Sequence, residues 1–217
     1  MMLSTQNLTL QRRERTILSN ISLSIEAGDI IFLQGESGCG KTSLLRLMAF
    51  LESPTSGSIL FQGTPQTKWV PHLYRKQVSF VFQAPVFLPG TVLENLDAVQ
   101  KINGKQATVQ EFYENALLRL GLSPSLIHNE ATHLSQGEKI RLSIVRSLLN
   151  TPKMLLLDEP LGALDKKSSI QLLEGLQHYK EQNGVSIVMV SHQQCPIPFA
   201  NRYLRLENSS LLENSNA

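Results

Sequence analysis

Short apolar runs rich in β-branched residues alternate along the chain with segments of helical periodicity. Brief, continuously apolar runs are typical of buried strands, whereas 42–51 and 168–181 place apolar side chains at helical spacing. This alternation predicts an α/β fold, with 58–61 and 78–82 assigned to different sheets. The predicted strands are 30–33, 58–61, 78–82, 154–157, 185–190 and 203–206.

The middle of the chain differs from its two ends. Residues 91–150 are mostly helical in pattern, with breaks at 103–104 and 121–124. We therefore expect one domain, 1–217, in which a helical lobe over 84–150 interrupts an α/β core formed by 1–83 and 151–217. The tail from residue 208 is polar, and we expect it to be frayed.

The composition allows one sizeable core and gives no sign of a nucleic-acid partner. The 217 residues are 41% hydrophobic, and the charges nearly cancel at a net +2. Because no basic block stands out, binding to nucleic acid has no electrostatic support. Arg12, Arg13 and Arg15 are clustered, but Glu14 interrupts them, and we expect a solvated loop there.

The two cysteines and the hydropathy profile suggest a reduced protein outside the bilayer. Cys39 and Cys195 have no metal-ligand spacing, so two free thiols in a reducing compartment are expected. The first residues lack the apolar core of a signal peptide. No apolar run reaches the roughly 18 residues that cross a bilayer. We expect the chain to be soluble alone and to reach a membrane only through a partner.

The sequence GESGCGKT at 35–42 fits the phosphate-binding pattern G-x-x-x-x-G-K-[ST]. Its glycines let backbone N–H groups point at phosphate oxygens, and the helix that follows adds its positive end. Lys41 would reach the β- and γ-phosphates, and the Thr42 hydroxyl would bind Mg²⁺. A plain glycine-rich turn is the alternative. Within the loop, Cys39 is interpreted as a small filler residue rather than a redox switch.

Two carboxylates follow the most apolar predicted strand. MLLLDEP places Asp158 and Glu159 just after 154–157. Ligands of open parallel sheets gather at the carboxyl ends of strands, so these side chains are candidates for a site. Asp158 suits the hydration shell of Mg²⁺, and Glu159 suits the attacking water. Alone, the pair could equally be a solvated turn; beside a phosphate loop, it favours hydrolysis.

The order of these and further motifs resembles the ATP-binding subunit of an ABC transporter over nearly the whole chain. Ser191 and His192 follow a buried strand, as in that family's switch region. The other matching motifs are GESGCGKT (Walker A), Gln83 (Q-loop), LSQGE at 134–138 (signature), MLLLDEP (Walker B) and GALD at 162–165 (D-loop).

The resemblance implies a P-loop NTPase (RecA-like) core with an N-terminal antiparallel β subdomain and an inserted α-helical subdomain. It implies ATP and Mg²⁺ as cofactors, with Glu159, His192 and Gln83 in catalysis and Thr42, Gln83 and Asp158 at the metal. It also implies a head-to-tail homodimer, in which each ATP meets one P-loop and the partner's signature. The nucleotide-binding residues would be Gly35, Glu36, Ser37, Gly38, Cys39, Gly40, Lys41, Thr42, Ser43, Ser135, Gly137 and Asp165.

The sequence departs from the family pattern in two places. The signature carries Gln136 and Glu138 where glycine and glutamine are usual, and we expect Glu138 to face away from the γ-phosphate. The family's adenine-stacking aromatic residue is missing from 10–15. Arg12 or Arg13 could lie flat against the base instead, since guanidinium stacks on π-faces. Modest selectivity for adenine is therefore predicted.

The resemblance also implies integral membrane permease partners and a peripheral place on the cytoplasmic face of the inner membrane. Residues 86–88 and 91–93 lie where the family receives the permease's coupling helices, although lobe core is an equal alternative. A non-transport ABC ATPase of the cell-division or mechanotransmission type stays open. The overall pattern looks most like two-component iron-export ATPases of the Fet type, which makes iron or another metal a candidate substrate.

Overall fold

The computed structural model describes residues 1–102, 104, 109–192 and 198–214. Its strands form a four-stranded and a six-stranded sheet. In chain order the strands are β1 (Leu3–Arg12), β2 (Arg15–Ile25), β3 (Ile30–Gln34), β4 (Ser56–Phe61), β5 (Thr64–Pro65), β6 (Val78–Val81), β7 (Met154–Asp158), β8 (Ser186–Val190), β9 (Arg202–Glu207) and β10 (Ser210–Asn214).

The two sheets differ in strand direction. The smaller one has the order β2-β1-β4-β5 and is antiparallel throughout. The larger one has the order β10-β9-β3-β8-β7-β6 and is parallel except for β10 at its edge. Because β3, β8 and β7 are parallel neighbours, their carboxyl ends meet at one edge of the sheet, where ligands of such folds bind.

Along the chain, the helices occur in the segments that connect the strands. α3, α4 and α5 fall in the stretch predicted to be a helical lobe, and the boundaries 84–150 stay a prediction. In chain order the helices are α1 (Lys41–Met48), α2 (Pro71–Gln77), α3 (Val92–Ile102), α4 (Gln110–Arg119), α5 (Gln136–Leu148) and α6 (Lys166–Asn183), with short 3-10 turns at Gln66–Lys68, Pro124–His128 and Ala131–His133.

The core is divided by the larger sheet, because alternate strand residues point to opposite faces. Ile31 and Leu33 of β3 pack with α1 and the antiparallel sheet. Ile30 and Phe32 of the same strand pack with the helical lobe and α6. The strand is therefore apolar on both faces, as its continuous hydrophobic run requires. Both α1 and α5 are thereby packed against one rigid sheet.

The structure corrects the expected frayed tail. Residues 210–214 form β10, which pairs antiparallel with β9. Arg202 ties this edge together, since its side chain bonds both Asp29 and Glu213. The strand is stabilised by pairing with β9 rather than by an apolar pattern of its own.

The arginine cluster near the start also differs from the expected loop. Arg12 ends β1 and Arg15 begins β2, so only Arg13 and Glu14 form the turn between them. The hairpin of β1 and β2 forms part of the antiparallel sheet that the family resemblance implied. In the described part of the chain, no helix combines the length and apolar character needed to cross a bilayer. Cys39 is a free thiol, whereas Cys195 lies outside the described residues.

Candidate nucleotide site

The glycine-rich loop connects β3 to α1 and is closed around a buried lysine. Lys41 is only 4% exposed, and its Nζ donates to the carbonyl oxygens of Gly35 at 2.8 Å and Glu36 at 2.7 Å. A Cβ on Gly35 would lie 2.4 Å from the Leu206 carbonyl oxygen, so a larger residue does not fit there. The loop is thus fixed by sterics on one side and by the lysine on the other.

The two proposed metal-binding side chains are in direct contact. The Thr42 hydroxyl donates to Asp158 Oδ1 at 2.9 Å, joining the first turn of α1 to the end of β7. Asp158 is 6% exposed. Burial raises the pKa of Asp158 above its ordinary value, while the Thr42 hydrogen bond acts in the opposite direction. A positive charge placed here would therefore favour the ionised carboxylate.

The Glu159 carboxylate lies between two side chains from distant parts of the sequence. His192 Nε2 is 2.6 Å from Glu159 Oε1, and the Gln83 amide donates to Glu159 Oε2 at 3.0 Å. The three residues follow β7, β8 and β6, whose carboxyl ends lie side by side. Glu159 has φ 52, a left-handed backbone conformation that is unusual for a residue with a side chain. Such strained positions are frequent at functional sites.

Most of these groups line one open cleft of about 540 Å³, and Asp158 is joined to it through its hydrogen bond with Thr42. Arg12 lies at its edge, and its guanidinium is held by Glu52 through contacts of 2.7, 2.8 and 3.1 Å. Arg13 is in the hairpin turn and is absent from the cleft lining in the described part of the chain. The lining residues are Arg12, Ile17, Ser37, Gly38, Gly40, Lys41, Thr42, Ser43, Gln83, Glu159 and His192.

The LSQGE segment lies at the N-terminus of α5 and forms a capping box. Ser135 is the N-cap residue, and its Oγ accepts the Glu138 N–H at 3.3 Å. In return, Glu138 Oε2 accepts the Ser135 hydroxyl at 2.6 Å and the Ser135 N–H at 2.9 Å. The Ser135 hydroxyl lowers the pKa of Glu138, so this acceptor is a carboxylate near neutral pH.

The three predicted nucleotide-binding residues that follow α1 in the sequence lie close to this segment rather than at the cleft. Gly137 packs against the GALD loop, where an added Cβ would lie 2.8 Å from Leu164 Cδ2 and 3.1 Å from the Ala163 carbonyl oxygen. Asp165 caps α6 by accepting the Ser168 N–H at 2.7 Å. Among the described residues, the cleft lining includes none of these three, and it also leaves out three predicted P-loop residues: Gly35, Glu36 and Cys39.

Two contacts of the signature segment were not anticipated from the sequence. Gln136 Nε2 lies 3.5 Å from the carbonyl oxygen of Gln83, which brings the signature beside the Q-loop of the same chain. The pairing of Ser135 with Glu138 was also missed, although S-x-x-E before an apolar helix is the sequence signal of a capping box. The contact with Gln83 has no such local signal because the two glutamines are far apart in sequence.

The stretch predicted to receive a membrane partner is divided between surface and core. Val86 is 84% exposed and Leu88 is 56% exposed, whereas Phe87 packs partly against the lobe core. Val92 is fully within that core. Arg146 of α5 donates to the Val86 carbonyl oxygen at 2.9 Å, and its guanidinium lies 5.0 Å from the Phe87 ring centre. The most exposed apolar side chains of the predicted stretch therefore lie in its first half.

A buried lysine under a glycine-rich loop, with a hydroxyl–carboxylate pair beside it, defines a P-loop nucleotide hydrolase. The family model described as "ABC transporter" matches residues 18–162. The chain belongs to this family, and it is an ATP-binding and ATP-hydrolysing subunit of an ABC transporter. The predicted α/β class with an antiparallel sheet and helical segments is confirmed.

Individual relatives agree with this assignment. The chain is 35% identical over 206 residues to the "probable iron export ATP-binding protein FetA" of Escherichia coli (strain K12), covering 95% of this chain and 91% of the relative. It is 36% identical over 195 residues to the spermidine/putrescine import ATP-binding protein PotA of Nitrosomonas europaea, covering 89% of this chain and 53% of that protein.

The fold is shared with solved ATP-binding cassettes. One is the dimeric structure of the cassette MJ0796 in a post-hydrolysis state with ADP and Pi. The two structures superpose with a TM-score of 0.87 at 26% sequence identity, and the superposition covers 98% of each chain.

Proposed function

We propose that this subunit drives transport by a cycle of ATP-dependent dimerisation and hydrolysis. In the closed state, two chains in head-to-tail arrangement would hold two ATP molecules between them. Each ATP would be held by the P-loop of one chain and by Ser135 and Gly137 of the other. The cleft supports this idea because, among the described residues, its lining contains P-loop residues but neither Ser135 nor Gly137.

The observation that carries the hydrolytic role is the clamped carboxylate of Glu159. Held between Gln83 and His192, it has both oxygens oriented before any water arrives. A carboxylate so placed can accept a proton from the attacking water, and the imidazole can donate to the γ-phosphate. Positioning and charge neutralisation account for most catalysis of phosphoryl transfer, so a preorganised clamp is what this reaction needs.

The residues beside the clamp fit a magnesium ion. Thr42, Asp158 and Gln83 offer a hydroxyl, a carboxylate and an amide oxygen, which are the ligand types that Mg²⁺ prefers. Across the described residues, no group of three or more His, Cys, Asp or Glu side chains is arranged to hold a metal. Triphosphate oxygens and water would complete the coordination. When bound, the ion would neutralise phosphate charge.

The adenine subsite would be formed by aliphatic and guanidinium surfaces. Arg12 and Ile17 both line the cleft, and Glu52 fixes the orientation of the Arg12 plane. A guanidinium stacks on any base, and neither side chain reads the exocyclic groups that distinguish adenine from guanine. This arrangement supports the prediction of modest selectivity for ATP over GTP.

The membrane partner would be a permease, docked beside the Q-loop. The exposed side chains of Phe82, Val86 and Leu88 form an apolar surface next to Gln83, so a partner there would sense the nucleotide site. The subunit would then lie on the cytoplasmic face of the inner membrane. Iron or another metal ion is proposed as the transported substrate, because the relative named for iron export is matched over nearly its full length.

The test of hydrolysis is Glu159→Gln, which keeps the size of the side chain but removes its charge and one of its two acceptor oxygens. ATP turnover should fall at least about hundredfold, the usual contribution of a positioned general base. ATP binding should be retained, and the variant should accumulate as an ATP-bound dimer in sedimentation experiments. Glu174→Gln, on α6 and exposed, is the control. Turnover at the parent rate in Glu159→Gln would refute the role of Glu159.

The head-to-tail arrangement is tested with mixed dimers. Ser135→Arg should block hydrolysis at the site whose P-loop belongs to the other chain. A mixture of Ser135→Arg with Lys41→Ala places both defects in one of the two composite sites and leaves the other site intact. Recovery of ATPase activity in the mixture supports nucleotide sites that are shared between two chains. A mixture as inactive as each variant alone would contradict this arrangement.

A further inference from the structure

The Ser135 hydroxyl has a single proton, and that proton is already engaged within the chain. It is donated to Glu138 Oε2 across 2.6 Å, a distance typical of a hydrogen bond to an ionised carboxylate. The same oxygen accepts the Ser135 N–H at 2.9 Å. In the proposed dimer, Ser135 is the residue that must donate to the partner's γ-phosphate. Phosphate and Glu138 therefore compete for one proton.

We propose that Glu138 is a positioning residue that holds the Ser135 hydroxyl away from the partner's nucleotide and so raises the ATP concentration needed to close the dimer. This inference rests on the proposed function. When the γ-phosphate arrives, the carboxylate must release the hydroxyl and then face a second anion, which is unfavourable. Glutamine, the usual family residue at this position, would be a neutral acceptor and would bring no repulsion.

Two neighbouring side chains favour the ionised form of Glu138. The Ser135 hydroxyl is the main cause of its lowered pKa, and Arg141, one turn along α5, contributes in the same direction. Arg141 is itself fixed, since its guanidinium donates to the Gly121 carbonyl oxygen at 2.6 Å. The competing acceptor is thus a stable feature of the open chain.

A capping box also stabilises a helix, and that simpler role must be separated from control of Ser135. Glutamine serves at the last position of a capping box as glutamate does. Glu138→Gln therefore keeps the cap and removes only the charge, while Glu138→Ala removes both. The two roles predict different outcomes for the same pair of variants.

The experiment uses the full-length chain in the Glu159→Gln background, so that hydrolysis does not deplete the dimer. Dimer formation is followed by sedimentation as ATP is raised. Adding Glu138→Gln should lower the half-maximal ATP concentration about tenfold, because a charge-assisted hydrogen bond is roughly twice as strong as a neutral one. Glu111→Gln, in the exposed first turn of α4, should change nothing.

Thermal unfolding without nucleotide supplies the second readout. Glu138→Gln should melt at most a few degrees below its background, whereas Glu138→Ala should melt clearly lower and still form dimers at reduced ATP. An unchanged or increased ATP requirement in Glu138→Gln would overturn the proposal and leave Glu138 as a helix cap alone. Were the Glu159→Gln chain itself to stay monomeric with ATP, the proposed function would fall, and this inference with it.

Discussion

The N-termini of α1 and α5 carry the two proposed phosphate-binding segments, and they differ in what occupies their N–H groups. α1 begins after Gly40, which has no side chain with which to cap the helix. α5 begins after Ser135, whose hydroxyl accepts the Glu138 N–H while the Glu138 carboxylate accepts the Ser135 N–H. No side chain caps the first turn of α1, whereas the capping box at α5 already engages two N–H groups and the Ser135 hydroxyl.

The two segments also differ in the charge they bring. The P-loop holds the buried cation of Lys41, whereas the signature holds the carboxylate of Glu138. A triphosphate is thus attracted to the first segment and opposed at the second. From this difference in charge we expect ATP to bind the P-loop first. Closure of the dimer onto the signature would then be the step with the less favourable free energy.

The largest expected effect is on ATP binding at the P-loop. Lys41→Ala should weaken ATP binding by the isolated chain about hundredfold, since two charge-assisted hydrogen bonds to phosphate would be lost. Ser135→Ala should leave binding by the isolated chain unchanged. Nucleotide titration by fluorescence or calorimetry measures both. Lys68→Ala, at an exposed position, is the matched control. Equal losses in Lys41→Ala and Ser135→Ala would remove the distinction.

The next effect concerns packing behind the signature. Gly137→Ala places a Cβ 3.1 Å from the backbone carbonyl oxygen of Ala163 and 2.8 Å from the movable end of Leu164, so the free energy of unfolding should fall by about 1 kcal/mol. Gly162→Ala is the control, because its Cβ would lie 3.5 Å from the Glu159 carbonyl oxygen, an ordinary contact. Urea denaturation measures both variants. A parent-like Gly137→Ala would show that Leu164 moves freely.

A smaller effect follows from the lowered pKa of Glu138, whose main cause is the Ser135 hydroxyl. A carboxyl group with a depressed folded-state pKa contributes stability above its unfolded pKa and loses it as pH falls through the folded value. The parent should therefore exceed Glu138→Gln in unfolding free energy at pH 7 by less than about 1 kcal/mol, given solvent screening. The gap should close below the ordinary glutamate value of 4.5. A gap that widens in acid would contradict this sign.

The smallest effect tests the base-binding edge of the cleft. Arg12→Ala should weaken ATP and GTP binding by similar, few-fold factors, since exposed cation–π contacts contribute about 0.5–1 kcal/mol. Arg13→Ala is the control, because that residue lies in the hairpin turn. Competition between the two nucleotides measures selectivity directly. A strong preference for ATP in the parent would contradict the proposed subsite.

Local patterns predicted the parts of the fold that local forces determine. The buried strands appear as continuous apolar runs, and the P-loop appears as a fixed spacing of glycines with Lys41. β10 was missed because Ser210–Asn214 contains only two apolar residues and exists as a strand through pairing with β9.

The functional site was less accessible to local reasoning. Gln83, Glu159 and His192 are far apart in sequence, and only the family resemblance brought them together before the structure did. The contact between Gln136 and Gln83 depends on how the helical lobe is placed against the sheet, which no spacing encodes. The capping pair of Ser135 and Glu138, in contrast, was present in the sequence as S-x-x-E.

Considered as a mechanical element, α5 is a rod. Its 13 residues span about 20 Å, with the capping box at one end and Arg146 near the other. Arg146 holds the Val86 carbonyl oxygen and lies over Phe87, so the far end of the rod is fastened to the exposed loop beside the Q-loop. A helix resists bending over this length, and a displacement at one end is therefore passed to the other. Through α5, closure of the two nucleotide sites would then be coupled mechanically to displacement of a membrane partner.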